Sequence, residues 1–281
     1  MRTKTLIVGM NGFLATHLAQ KLAETDELHG VYNHRSDSRA RDLYASATHI
    51  SELEHMPKDF EVIYLLASYI PYGKMTEADS RYITTNIDLP SRVVRCFSES
   101  RIVFASSVSV YGQSLGRTLN ENAAFVNPSL YGLSKISGEC IVQNHPNYGI
   151  IRFSSLYGLG MYMGTFLPKI ISSAQETQKI TLLGEGTRLQ DYLHVEDAAT
   201  LCQSVGKSST NAIFMGVQGH SISNLEVAKA VQVCLPDTEI ELKDTDFSES
   251  FVYDNSLTAK ILNFKPVKSL ADSLKQFIKN G

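Results

Sequence analysis

Thr5-Leu6-Ile7-Val8 is a short apolar run rich in β-branched residues, as expected of a strand buried on both faces, and it passes directly into Gly9-Met10-Asn11-Gly12-Phe13-Leu14-Ala15. Leu14, Leu18 and Leu22 then recur at the helical period. Strand, glycine turn and helix in that order aim a helix N-terminus and its free N–H groups at a phosphate. Gly9 allows the tight turn, Gly12 allows close backbone approach to a pyrophosphate, and Ala15 is small where helix and strand pack. The spacing is GxxGxxA and not the GxGxxG of the common dinucleotide fingerprint. A plain strand-to-helix turn is the alternative, but a strand before and a helix after favour a nucleotide. Gly9, Asn11, Gly12, Phe13 and Leu14 are therefore expected on the cofactor side.

The second strand, Leu28 to Asn33, ends in Asn33-His34-Arg35-Ser36. In NAD-binding folds an acidic residue at this end takes the ribose hydroxyls. No carboxylate stands there to repel a 2′-phosphate, and Arg35 can pair with one, so the motif favours NADP over NAD. A solvated loop arginine is the plainer alternative. Further strands are expected near Thr48-His49-Ile50 and at Val62–Ala67, Arg101–Ala105 and Gly149–Phe153. Helical patterns separate them, one with Val93, Val94 and Phe97 on its apolar face and Pro90 tolerable only in its first turn. Such alternation predicts an α/β domain with a doubly wound parallel sheet. From Ser155 onward strict alternation stops, although Ser223-Asn224-Leu225-Glu226 reads as a capping box. Residues 1–155 are thus expected to form a dinucleotide-binding domain. Residues 156–281 are expected to be mainly a smaller α/β substrate-binding lobe, with some segments returning to the first domain.

Composition excludes several classes. In 281 residues the net charge is −3, so no broad basic field invites nucleic acid. No apolar run approaches the ~20 residues that span a bilayer, and the run from Lys4 to Met10 is too short for a signal h-region. Cys96, Cys140, Cys202 and Cys234 lie far apart without metal spacing, as expected of core thiols in a reducing cytoplasm. No metal is expected.

Tyr131-Gly132-Leu133-Ser134-Lys135 places Tyr131 and Lys135 on one helical face. An ammonium beside a phenol favours the phenolate and moves it toward the range of a general acid–base. Upstream, Phe104 to Gly112 reads as a buried strand ending in hydroxyls. Alone, YxxxK describes many exposed helices.

In order along the chain stand GxxGxxA, Leu65-Leu66-Ala67, Asn86, Ser106-Ser107-x-x-x-Tyr111-Gly112, Tyr131-x-x-x-Lys135, Arg152-x-x-x-x-Tyr157-Gly158 and Gly184-x-Gly-x-x-x-x-Asp191-Tyr192. Over nearly its whole length the chain resembles the extended short-chain dehydrogenase/reductases that act as nucleotide-sugar epimerases and dehydratases. The resemblance implies a Rossmann-type domain with a small C-terminal lobe, often dimeric through paired helices. It implies Tyr131 as the catalytic acid–base, Lys135 holding the nicotinamide ribose, and Ser107 bonded to the reacting oxygen. Leu66, Ala67 and Asn86 join the cofactor side; Ser107, Ser109, Ser155, Arg188 and Gln190 face the substrate.

Departures from the family pattern narrow the chemistry. The dehydratases carry Asp and Glu where this chain has Val108 and Ser109. A double epimerase uses Cys and His where this chain has Ser109 and Thr165. A 4-ketosugar reductase using NADPH and a 4-epimerase retaining NAD both remain. The family's diphosphate-pairing Arg is Gln190 here, and Arg188, two residues earlier on an extended strand, faces the same side. Ser155 replaces the usual Asn beside the sugar, and His194 reads as structural. A catalytically silent dinucleotide sensor on the same fold, or a substrate without a nucleotide, are the alternatives.

Overall fold

The computed structural model describes residues 2–34, 40–71 and 79–280. At its centre lies a sheet of β1 (Thr3–Val8), β2 (Asp26–Tyr32), β3 (Tyr44–His49), β4 (Val62–Leu65), β5 (Arg101–Ser107), β6 (Tyr148–Phe153) and β7 (Ala212–Gly216). The spatial order is β7-β6-β5-β4-β1-β2-β3, and every neighbouring pair is parallel. The chain winds outward from β1 to β3, returns to place β4 on the other side of β1, and winds out again. That reversal opens a crevice at the carboxyl ends of β1 and β4, where open α/β sheets bind ligands. Burial on both faces explains the unbroken apolar runs: Leu6, Ile7, Val8, Ile63, Leu65, Ile102, Val103 and Phe104 are fully buried.

The helices are α1 (Phe13–Leu22), α2 (Leu89–Cys96), α3 (Leu130–Gln143), α4 (Phe166–Thr177), α5 (Val195–Lys207), α6 (Asn224–Cys234), α7 (Ser256–Leu262) and α8 (Leu270–Asn280). α1 and α5 cover one face of the sheet, packing Leu18, Leu22, Leu201 and Val205 with Ile7, Val103 and Ile151. α2 and α3 cover the other, with Leu89, Val93 and Val142 against Leu6, Ile63 and Ile102.

A helix at Arg81–Ile83 passes through a π-helical stretch, Thr84–Asp88, before α2. Pro90, in the first turn of α2, has no N–H to give the Asn86 carbonyl four residues back. α3 lies against that carbonyl through Gly138, where a Cβ would stand 2.9 Å from it and 2.7 Å from the Phe104 ring.

In the second half, Lys179–Leu183 pairs parallel with Glu239–Lys243. Leu167, Ile170 and Ile171 of α4, Val227 and Val231 of α6 and Leu274 of α8 make a separate core. The Ser223–Glu226 capping box is present at α6. α5 and β7 return to the large sheet, and α7 packs on β7, with the Thr258 hydroxyl accepting the Met215 N–H at 2.7 Å. Among the described residues no helix is long and apolar enough to cross a membrane.

Candidate active site

Gly9 ends β1 with φ +94°, and a Cβ there would stand 2.7 Å from the Ala67 nitrogen, so only glycine permits β4's end to close on the turn. Leu66 and Ala67 both donate to the Val8 carbonyl, at 3.0 and 2.9 Å, which seats them beside this loop. Gly12 precedes α1 and has no capping side chain, leaving the first N–H groups of α1 open to a ligand. Asn11 is exposed, Phe13 half-buried, and Leu14 packs into the core beneath them. Asn33 lies exposed past the end of β2. Arg35, expected to meet a 2′-phosphate, lies outside the described residues.

Asn86, expected on the cofactor side, is fully buried with its whole amide engaged. Its oxygen accepts from the Tyr69 N–H (2.8 Å) and the Ser68 hydroxyl (3.3 Å). Its nitrogen donates to the Tyr69 carbonyl (3.0 Å) and the Ser134 hydroxyl (2.9 Å). Its side chain therefore pins Ser68 and Tyr69, just after β4, to α3.

β5 ends in Ser107, whose hydroxyl donates to the Ser109 hydroxyl and accepts the Ser109 N–H, both at 3.1 Å. Facing this turn is the start of α3, capped by Ser129, which accepts the Gly132 N–H at 3.2 Å. A Cβ at Gly132 would stand 2.3 Å from the Ser109 carbonyl, so the glycine inside Tyr131-Gly132-Leu133-Ser134-Lys135 lets α3 lie directly on the serine turn. Tyr131, in the first turn of α3, is half-buried. Lys135 is 1% exposed, its Nζ lies 4.3 Å from the centroid of the Phe104 ring, and no hydrogen-bond partner is present for it. Burial draws its ammonium down to about 7, against the pull of the Glu139 charge one turn on, which holds it up. A desolvated ammonium without an acceptor is the feature a ribose diol would satisfy, so these residues fit a nicotinamide nucleotide.

Ser109, Ser155, Arg188 and Gln190 all line one cavity of about 380 Å³. Its walls also include Gln113, Asn127, Phe251 and Tyr253, which sequence reasoning did not pick out. Phe251 and Tyr253 stack with planes 4° apart and come from the chain's end, more than a hundred residues from Ser109. Their alternation on Val252–Tyr253 was the only available signal, and it reads equally as a surface strand. Arg188 donates through Nε to the Glu249 carbonyl at 3.2 Å, and Gln190 donates to Asn224 Oδ1 at 2.7 Å. Asp191 is the cavity's one carboxylate among the described residues, and it is engaged: it accepts from the Ser154 hydroxyl (2.6 Å) and the Gln218 and Gly219 N–H groups (2.8 and 2.9 Å). Burial raises its pKa. The Tyr253 phenol is likewise pushed up by burial and stays protonated at neutral pH.

His194 is buried at the N-cap of α5, accepting the Glu196 N–H at 3.2 Å, which is a structural position. Thr165 caps α4. Among the described residues no group of three His, Cys, Asp or Glu is placed to hold a metal.

The sequence pattern of the NAD dependent epimerase/dehydratase family matches residues 5–212. An uncharacterized UDP-glucose epimerase YtcB of Bacillus subtilis (strain 168) is 24% identical, the alignment covering 96% of this chain and 95% of that protein. Protein CapI of Staphylococcus aureus is 23% identical, with 98% and 97% covered. Among solved structures, UDP-glucuronic acid 4-epimerase from Bacillus cereus, in complex with UDP-glucuronic acid and NAD, shares the fold at a TM-score of 0.85 and 20% identity, covering 99% of both chains.

Proposed function

The chain belongs to the NAD dependent epimerase/dehydratase family, and from that premise we propose that it is a nucleotide-sugar 4-epimerase with Tyr131 as its acid–base. The observation that carries this reading is what the cavity lacks. The cavity opens beside Ser107, reached through Ser109, and its described walls hold one cation, Arg188, one engaged carboxylate, Asp191, and one phenol held protonated, Tyr253; Ser107, Tyr131 and Lys135 themselves are not among those walls. Elimination of water from a sugar needs a second acid–base pair, and enolisation beside a ketone needs one too. Oxidation and reduction at one carbinol need a single proton site.

NAD, when bound, supplies hydride acceptance and return at the sugar carbon. The protein's part is the proton and the geometry. Tyr131 takes the hydroxyl proton as that carbon is oxidised and gives it back on reduction. Lys135, charged when ribose hydroxyls solvate its Nζ, favours the phenolate form of Tyr131. Ser107, oriented by Ser109, holds the reacting oxygen. Arg188 supplies the cavity's positive charge for a diphosphate in place of the arginine that Gln190 replaces, and Ser109, Ser155 and Gln190 offer hydrogen bonds to the sugar nucleotide. The relatives named as UDP-glucose and UDP-glucuronic acid epimerases support a UDP-sugar.

A 4-ketosugar reductase is the second reading, favoured by Asn33-His34-Arg35 with no carboxylate to repel NADPH. Denaturing the purified protein separates the two. Released NAD supports the epimerase, whereas a cofactor-free protein that binds NADPH better than NADH supports the reductase. Exposed Ile83, Leu130 and Leu133, on helices of one layer, support a homodimer in either case. The deciding assay offers a panel of UDP- and dTDP-sugars and reads products by mass spectrometry and NMR. A C4 epimer formed by the wild type and lost in Tyr131→Phe, by ~10²–10⁴-fold with cofactor binding retained, is the expected result. Full turnover in Tyr131→Phe overturns the assignment.

A further inference from the structure

Ser107 and Tyr131 must meet one substrate oxygen, yet they come from different elements, the tip of β5 and the first turn of α3. Their alignment depends on how far α3 is slid along β5. Gly132 against Ser109 fixes how closely the two approach. The contact that resists sliding lies two turns deeper. Residues alternate along β5, so Phe104 and Ser106 face α3, Phe104 touching Lys135 and the Ser106 hydroxyl donating to Glu139 Oε1. Glu139 is 3% exposed and does not move freely. Arg152 of β6 grips it with two bonds, Nε to Oε1 at 3.0 Å and Nη2 to Oε2 at 2.8 Å. Arg152 also donates to the Tyr111 hydroxyl at 3.0 Å, reaching the turn that follows Ser107.

We propose that Ser106 and Glu139 are positioning residues, which through their mutual hydrogen bond set the axial register of the helix bearing Tyr131 and Lys135 against the strand that ends in Ser107. Neither needs to touch substrate. A one-residue advance along a helix is ~1.5 Å, and misplacement of reacting groups by ~1 Å costs ~10²-fold in rate. Partial loss of register therefore registers in turnover and in the Lys135 contact to the cofactor before it registers in folding. The proposal rests on the assignment of Tyr131, Lys135 and Ser107 made above.

Glu139→Gln leaves the buried Arg152 without its counter-charge and can fail to fold, so the decisive variant is Ser106→Ala, which leaves the ion pair intact. NADH affinity, read by fluorescence, and turnover on the sugar the wild type accepts are measured together with the melting temperature. Ser106→Ala is expected to lower kcat by ~10-fold or more, with KM for the sugar changed less than threefold, and to weaken NADH severalfold. Ser106→Thr, which restores a hydroxyl, recovers both. Unchanged kcat and NADH affinity with a lowered melting temperature would show a stability role only and overturn the proposal, as would failure of Ser106→Thr to recover either. If the wild type turns over no sugar, the epimerase reading fails on its own, and NADH affinity across the same variants still decides the register.

Discussion

Replacing Lys135 by Met should make the cofactor-free protein more stable at mildly acidic pH while disabling it. The ammonium is fully buried with no acceptor, and burial has drawn it from its ordinary 10.5 to about 7. At ~1.4 kcal/mol for each pH unit, that gap corresponds to a folding cost on the order of 5 kcal/mol at its upper end. The Phe104 ring face returns part of it, and Met keeps the length and packing of the stem. The sign follows from proton counts. Below about pH 7 both folded and unfolded chains carry the proton and the whole cost is present. Between about pH 7 and 10.5 the folded chain has released the proton while the unfolded chain keeps it, so the wild type gains stability as pH rises. The advantage of Lys135→Met is therefore largest near pH 6 and shrinks by ~2 kcal/mol between pH 7 and pH 9. Urea unfolding of cofactor-stripped protein at these values measures it. Saturating NADH should reverse the order, because ribose hydroxyls give Nζ acceptors that a methionine cannot use. A variant less stable than the wild type by the same margin at every pH would refute the reasoning, since Lys135 would then carry no uncompensated desolvation.

Arg188→Ala should raise KM for a nucleotide sugar by ~10–100-fold with kcat less affected, as expected for loss of a charge-assisted bond to a diphosphate; an unaltered KM would point to a substrate without that group. Gly132→Ala drives a Cβ into the Ser109 carbonyl, so it should cost ~1–3 kcal/mol in urea unfolding and depress kcat beyond what the stability loss explains. Equal activity in the soluble variant would remove the serine turn from the catalytic geometry.

The fold was legible because parallel strands buried on both faces leave contiguous apolar runs, and because Gly9, Pro90 and the Ser223 capping box each answer a local backbone requirement. The site was legible only in part. Gly9, Ser107 and Tyr131 stand at element ends, and Lys135 one turn beyond Tyr131, where chain order and spacing carry information. The contacts that build their surroundings come from far along the chain. Ser106 meets Glu139 across 33 residues, and Ser114 meets Glu249 across 135. Periodicity reports which face of an element is buried and not which residue waits on the other side. Asn86, placed on the cofactor side by the family resemblance, has an amide bonded to Tyr69 and Ser134, partners that its position in the sequence does not announce. The small pairings of the second half, two or three residues each, are shorter than any periodic signal.

The same long-range partners explain why Lys135 lacks one. Glu139 lies four residues further along α3, the spacing at which a lysine and a glutamate ordinarily pair. Were it free, it would give the ammonium its counter-ion, and a ribose would have little to add. Arg152 takes both of its oxygens and Ser106 adds a third bond, holding the carboxylate toward β5 and β6. The negative charge still reaches Lys135 through the field, which keeps its pKa from falling further, while every short contact is withheld. A buried ion pair of this kind adds little net stability over an apolar replacement. On the proposed assignment, its value would lie in leaving one ammonium unsatisfied where a cofactor could satisfy it.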